Sequence, residues 1–185
     1  KLFSQELRFK DENGKEYPEW DKKEFDKALF SIATKKHQIQ SSQIHSFGKF
    51  KVIDQGKDLI AGYCDNDNLL FKNIPVIVFG DHTTNLKFID YEFVVGADGT
   101  KILKEKEGNN LKFLYYNLSY NNVQQAGYKR HFSMLSEVIL QIPHIKEQNK
   151  IAKFLSNIDE KITAVKMQIE KTEGYKKVLV QKLFI

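Results

Sequence analysis

The stretch Glu147-Gln-Asn-Lys-Ile-Ala-Lys-Phe-Leu-Ser-Asn-Ile-Asp-Glu-Lys-Ile-Thr-Ala-Val-Lys-Met-Gln-Ile169 decides the fold. Its apolar residues Ile151, Leu155, Ile158, Ile162, Val165 and Ile169 fall four and three positions apart in strict alternation, the spacing of a coiled-coil seam. From residue 147 to 184 there is no proline and a single glycine, Gly174. One helix of roughly 55 Å can therefore run to the end of the chain at 1.5 Å per residue. A helix this long cannot bury a narrow stripe against itself, so the seam predicts a partner helix. That partner is a second copy or another part of the same protein. The plainer reading is a helix packed on its own domain.

Working back from the helix, Pro143 marks a boundary. Residues 144–185 form the helical arm, and residues 1–143 are the usual size of one domain with one core. Residues 1–24 are charged and turn-rich, with turn signals at Asn13-Gly14 and Pro18, and Trp20 and Phe25 anchor the start of the folded part. A short helix is expected over 25–33. Strand-like runs follow at 50–53, 68–71, 74–79, 87–89, 93–95 and 100–103, bounded by Gly- and Asp-rich clusters. A helix is expected over 111–123 and a strand over 136–142. The fold class is α+β: a mostly β domain with short helices, followed by a long C-terminal coiled-coil helix.

The chain has 185 residues, 41% hydrophobic and 12% aromatic, with a net charge of +5. Residues 144–185 carry nine Lys against five Asp/Glu, whereas the first 143 residues carry twenty Lys/Arg against nineteen Asp/Glu. The globular part is nearly neutral, so any nucleic-acid binding must come from local clusters rather than from the net field. One cysteine, Cys64, excludes an internal disulfide framework and a multi-cysteine zinc site, and suits a reducing, cytoplasmic setting. No apolar run approaches the ~20 residues of a membrane span, and no cofactor-binding motif is visible. The chain opens on Lys1 rather than on a methionine, which reads as a fragment or a processed product.

Two basic clusters are candidate DNA contacts. Gly127-Tyr-Lys-Arg-His-Phe132 supplies Tyr128, Lys129 and Arg130: the cations can neutralise phosphates, Arg can read guanine, and Tyr can stack. Lys35, Lys36 and His37 open a polar loop after the first helix. For both, an ordinary solvated turn is the competing reading. Gly80-Asp-His-Thr-Thr84 reads as a turn whose Asp and Thr cap backbone amides, and Gly96-Ala-Asp-Gly99 as a turn that lacks the ending of a phosphate loop. Asp81, Asp90 and Glu92 are too unspecific in spacing to argue for nuclease chemistry. The string Lys-Leu-Phe occurs both at residue 1 and at residue 182, as an internal repeat cut at its joint would show.

Leu140-Gln-Ile-Pro-His-Ile-Lys-Glu-Gln-Asn-Lys-Ile-Ala-Lys-Phe-Leu-Ser-Asn-Ile-Asp-Glu-Lys-Ile162 resembles the segment leading into the long helix of type I restriction-modification specificity subunits. The resemblance extends to Gly80-Asp-His-Thr, to Gly96-Ala-Asp-Gly and to the opening Lys-Leu-Phe…Leu-Arg-Phe…Trp, nearly the whole chain. It implies a DNA target-recognition domain over 1–143 and a spacer helix over 144–185. It implies no catalysis and no cofactor. Each such domain reads one half of a split site on double-stranded DNA. The helices pair antiparallel, and the subunit docks methyltransferase subunits and, through them, restriction subunits. The Lys1 opening resembles the end of a preceding helix, which favours the C-terminal half of a full subunit. A homodimer through the helix is the expected substitute for the missing half. Two other readings remain: a coiled-coil assembly module with a protein-binding head, and a DNA-cleaving enzyme.

Overall fold

The structure is a computed structural model that describes residues 1–127 and 129–183. In chain order it runs β1 (Asp21–Glu24), α1 (Phe25–Ala28), β2 (Leu29–Ile32), β3 (Gln38–Ile39), β4 (Phe50–Ile53), β5 (Gly62–Cys64), β6 (Leu70–Phe71), β7 (Val76–Gly80), β8 (Leu86–Ile89), β9 (Phe93–Gly96), β10 (Thr100–Glu105), α2 (Leu111–Tyr120), α3 (Phe132–Ser136), β11 (Ile139–Ile142) and α4 (Ile145–Leu183). A mostly β domain thus carries a long C-terminal helix, as the sequence pattern predicts.

Strands β2, β10, β7 and β8 form an antiparallel sheet in that order, and β3, β9, β4 and β5 form a second sheet with β6 added to β9. The most apolar run explains why two sheets are needed. Successive side chains of a strand point to opposite faces, and every residue of β7 is buried. Ile77 and Phe79 face a core shared with Leu114, Leu118, Leu140 and Ile151. Val76 and Val78 face a second core with Ile53, Phe93 and Val95 from the other sheet. The first sheet is therefore the middle layer, with helices on one side and the second sheet on the other.

Several elements differ from their expected limits. The helix expected over 25–33 stops at Ala28, because Leu29–Ile32 pairs with Ile102–Glu105 along the sheet edge. Pairing outweighs a weak helical pattern. The strand expected over 136–142 starts only at Ile139, where it meets β1 in antiparallel register from Glu24↔Ile139 to Asp21↔Ile142. The helix expected over 111–123 ends at Tyr120, closed by Asn121, whose side chain donates to the Asn117 carbonyl at 3.1 Å. The short strands β1, β3 and β5 escape sequence reading.

The first two turns of α4 are built into the domain. Glu147, Gln148, Ile151 and Ala152 are buried, and Leu155 packs on the same core. This corrects the seam. Ile151, 0% exposed, belongs to the domain core and is not free for a partner helix, and Leu155 is partly buried against that core. The exposed part of the row begins at Ile158 (38%) and continues through Ile162 (47%), Val165 (55%) and Ile169 (52%).

Gln148 explains the tight joint. Its amide accepts from the Asn110 backbone N–H at 2.8 Å and donates to the Pro143 carbonyl at 2.9 Å. Asn110 in turn caps α2 by accepting from the Phe113 N–H at 2.9 Å. Among the described residues, no helix is long and apolar enough to cross a membrane.

Candidate nucleic-acid interface

Both basic clusters meet at one place. Lys35 and Lys36 lie on a 3-10 turn after β2, and Lys129 and Arg130 on the loop between α2 and α3. The four line one open groove of about 1290 Å³, together with Lys101 from β10, His82, Gln55, Asp81 and Asp98. Five fixed cations thus face two carboxylates, in a domain whose total charge is nearly balanced. Concentrating cations in a concave surface raises the local potential well above what net charge suggests.

Each cluster is held by bonds that leave its cations free. In the first turn the His37 N–H donates to the Thr34 carbonyl at 2.8 Å. The His37 ring stands edge-on to Phe71, and its Nδ1 lies 3.3 Å from the Leu69 carbonyl. His37 thus anchors the turn and does not line the groove. Lys35 and Lys36 are left exposed.

The second cluster depends on His131 and Asp81, both buried. The Ala126 N–H donates to His131 Nε2 at 3.0 Å. Nδ1 therefore carries the ring proton and donates to the Asp81 carbonyl at 3.0 Å. The same carbonyl accepts from the His131 backbone N–H at 2.8 Å, and the Asp81 carboxylate accepts from the Phe132 N–H at 2.8 Å. His131 is thus a buried brace for the loop. Outside it, Lys129 and Arg130 are exposed, and Lys129 turns its carbonyl to His82 Nδ1 at 3.2 Å. Tyr128, expected beside them, lies outside the described residues.

The groove floor comes from segments that the sequence does not connect. The Gln55 amide oxygen accepts from the His82 N–H at 3.0 Å, and its backbone carbonyl accepts from Asn85 Nδ2 at 3.1 Å. Behind it, Lys87 Nζ donates to the Asp54 and Asp58 carbonyls at 2.8 and 2.6 Å and fixes that loop. Burial lowers the Lys87 pKa from its ordinary value, partly opposed by Asp54. The Gly80–Thr84 turn does use Asp81 to cap an amide, and the Thr83 hydroxyl accepts from the Asn85 N–H at 3.4 Å while donating to the Gln55 carbonyl.

Gly99 closes the floor. Its φ is +76°, and a Cβ there would come within 2.8 Å of the Gln55 side chain and the His82 ring, so only glycine fits. Nothing in the sequence marks Lys101, Gln55, His82 and Asp98 as contacts. Each is one polar residue in its own segment, and only folding brings them together. Among the described residues, no group of three or more His, Cys, Asp or Glu is arranged to hold a metal ion.

Comparison with known proteins gives a consistent picture. A family model for the type I restriction modification DNA specificity domain matches residues 17–173. The specificity subunit of the Escherichia coli type I restriction enzymes EcoR124I and EcoR124II is 27% identical over 115 residues, covering 58% of this chain and 28% of that subunit. The S subunit of a type I restriction-modification system from M. genitalium superposes with a TM-score of 0.66 at 20% identity, over 85% of this chain and 42% of the subunit. The HsdS subunit from Thermoanaerobacter tengcongensis gives 0.52 at 15% identity, over 80% and 39%. A chain from a structure describing complex assembly and conformational transition of the type I R-M system gives 0.58 at 17% identity, over 91% and 46%. The chain spans less than half the length of each of these relatives.

Proposed function

The chain belongs to the type I restriction-modification DNA specificity family, and on that premise we propose that it reads one half of a split site on double-stranded DNA. Lys35, Lys36, Lys101 and Lys129 neutralise phosphates, and Arg130 reads a base edge. The observation that carries this reading is the groove itself, where three separate segments deliver five cations to one concave face. Tyr128 belongs to the same proposed face by sequence. The chain does no chemistry. It docks methyltransferase subunits and, through them, restriction subunits, in the cytoplasm.

The long helix supplies spacing. Its exposed row, Ile158, Ile162, Val165 and Ile169, pairs antiparallel with an equivalent helix, from a second copy or from the other half of a longer subunit. Two recognition domains then sit at a fixed separation, which is what a split site requires.

The test is a competition of selected against random duplex at two salt concentrations. Lys35→Ala and Lys36→Ala should weaken binding to all sequences alike. Each should flatten the dependence of log affinity on log salt by about 0.9. Arg130→Ala should cost roughly 1–3 kcal/mol and relax preference at one position. Unchanged affinity and preference in both sets would move the reading face elsewhere. Salt-independent binding to a protein ligand would instead favour an assembly module.

A further inference from the structure

The one exposed carboxylate of the groove, Asp98, has no structural task. Several other turn carboxylates do: Asp11 accepts from the Asn13 and Lys15 amides, Asp54 from Gly56, Asp65 from Lys49 and Asp81 from Phe132. Among the described residues, Asp98 accepts no backbone or side-chain hydrogen bond and forms no ion pair within 4 Å, although five cations line the same groove. Its backbone is nevertheless held on both sides. The Ala97 N–H donates to the Ile39 carbonyl at 2.9 Å, and the Ala97 carbonyl accepts from the Ser41 hydroxyl at 3.3 Å. On the other side the Gly99 carbonyl accepts from the Asp81 N–H at 2.7 Å, and the Thr100 hydroxyl donates to the Gly96 carbonyl at 2.7 Å. A fixed backbone thus presents an unengaged acceptor to the face that DNA is proposed to occupy.

Against duplex DNA such a group is unfavourable unless it meets a donor. Phosphates and ring oxygens only accept, and deoxyribose lacks the 2′-hydroxyl. The donors a paired base turns outward are its exocyclic amino groups: N4 of cytosine and N6 of adenine in the major groove, and N2 of guanine in the minor groove. We propose that Asp98 is a specificity-determining residue that accepts a hydrogen bond from the exocyclic amino group of one base in the target. The inference rests on the DNA-reading function above and gives it an element of a different kind. The cations attract any duplex, whereas Asp98 repels every duplex that fails to offer an amino group at its position. Discrimination then comes partly from a penalty on wrong sequences.

Sites are selected from random duplexes with the full chain, with Asp98→Ala and with Asp98→Asn. Asp98→Ala should lose preference at one position, by a factor between about 5 and 150. It should also bind random duplex about two-fold more tightly at low salt, a gain that shrinks as salt rises. Asp98→Asn removes the charge but keeps a carbonyl acceptor. It should show the same gain on random duplex and retain most of the preference. The position lost identifies the base. In the wild-type site that base is then replaced by its analogue without the amino group: pyrimidin-2-one for cytosine, purine for adenine, or hypoxanthine for guanine. The analogue should reproduce the loss in the wild-type chain and cause no further loss in Asp98→Ala. If Asp98→Ala still selects the wild-type site with every positional preference intact, the inference is overturned and the DNA-reading function stands. If the wild-type chain selects no site, both fall.

Discussion

Arg8→Met should separate the role of the first twenty residues from mere tail packing. The Glu147 carboxylate, in the first turn of α4, is fully buried. Arg8 meets it with two bonds, Nη2 to Oε2 at 2.8 Å and Nε to Oε1 at 3.3 Å, and the Trp20 indole N–H donates to Oε2 at 3.2 Å. Arg8 Nη2 also donates to the Tyr17 and Pro18 carbonyls at 3.1 and 2.6 Å. Glu147 holds the Arg8 pKa above its ordinary value, chiefly through their hydrogen bond.

Removing the arginine leaves a buried anion with one neutral donor. Breaking a buried pair in this way costs about 3–5 kcal/mol. The Arg8 side chain is 20% exposed, so water can reach the vacated site, and the low end, about 3 kcal/mol, is expected. For a chain of this size that corresponds to a fall in Tm of roughly 6–12 °C. The double variant Arg8→Met/Glu147→Met removes both charges and should recover part of the loss, because an apolar pair no longer strands an ion. Urea unfolding at pH 7 measures all three proteins. A single variant within about 0.5 kcal/mol of wild type, or a double variant no more stable than the single, would refute the reasoning. In that case the N-terminal segment does not hold the helix to the domain.

Two further predictions concern the helix and the groove. Replacing Ile158 and Ile162 with Asp should abolish self-association in sedimentation experiments and leave the unfolding transition of the domain in place. Ile151→Ala should do the opposite, costing about 2–5 kcal/mol of stability without changing assembly. His131→Ala strands the Ala126 N–H, while the Asp81 carbonyl keeps only its bond from the backbone N–H of residue 131, at a cost of about 1–3 kcal/mol. Hydrogen exchange should show lost protection in the segment ending at Phe132, with a weaker sequence preference in DNA binding. Unchanged protection would mean that the loop is held by other bonds.

The parts legible in the sequence are those whose cause is local and periodic. The apolar row of α4, the all-apolar β7 and the turn clusters between strands each carry their signal within a few residues, and each is found where expected. The parts that escaped have causes far away in the chain. Leu29 to Ile32 has a helical look, but Glu105 to Ile102 supplies partners that make it a strand. Ile151 and Ile158 are indistinguishable as members of one seam; only the position of the domain core decides that the first is buried and the second exposed. The groove shows the same division. Its cations are visible because they come in runs, but His37 and His131 sit in those runs as anchors, and nothing local tells an anchoring histidine from a cation. Asp98 is the inverse case, a turn residue by sequence whose interest arises from bonds that its neighbours make and it does not. For a recognition surface this asymmetry has a physical reason. Attraction to phosphate is additive and can be written as a cluster, whereas reading a base needs single groups held at fixed positions, which only the folded backbone can provide.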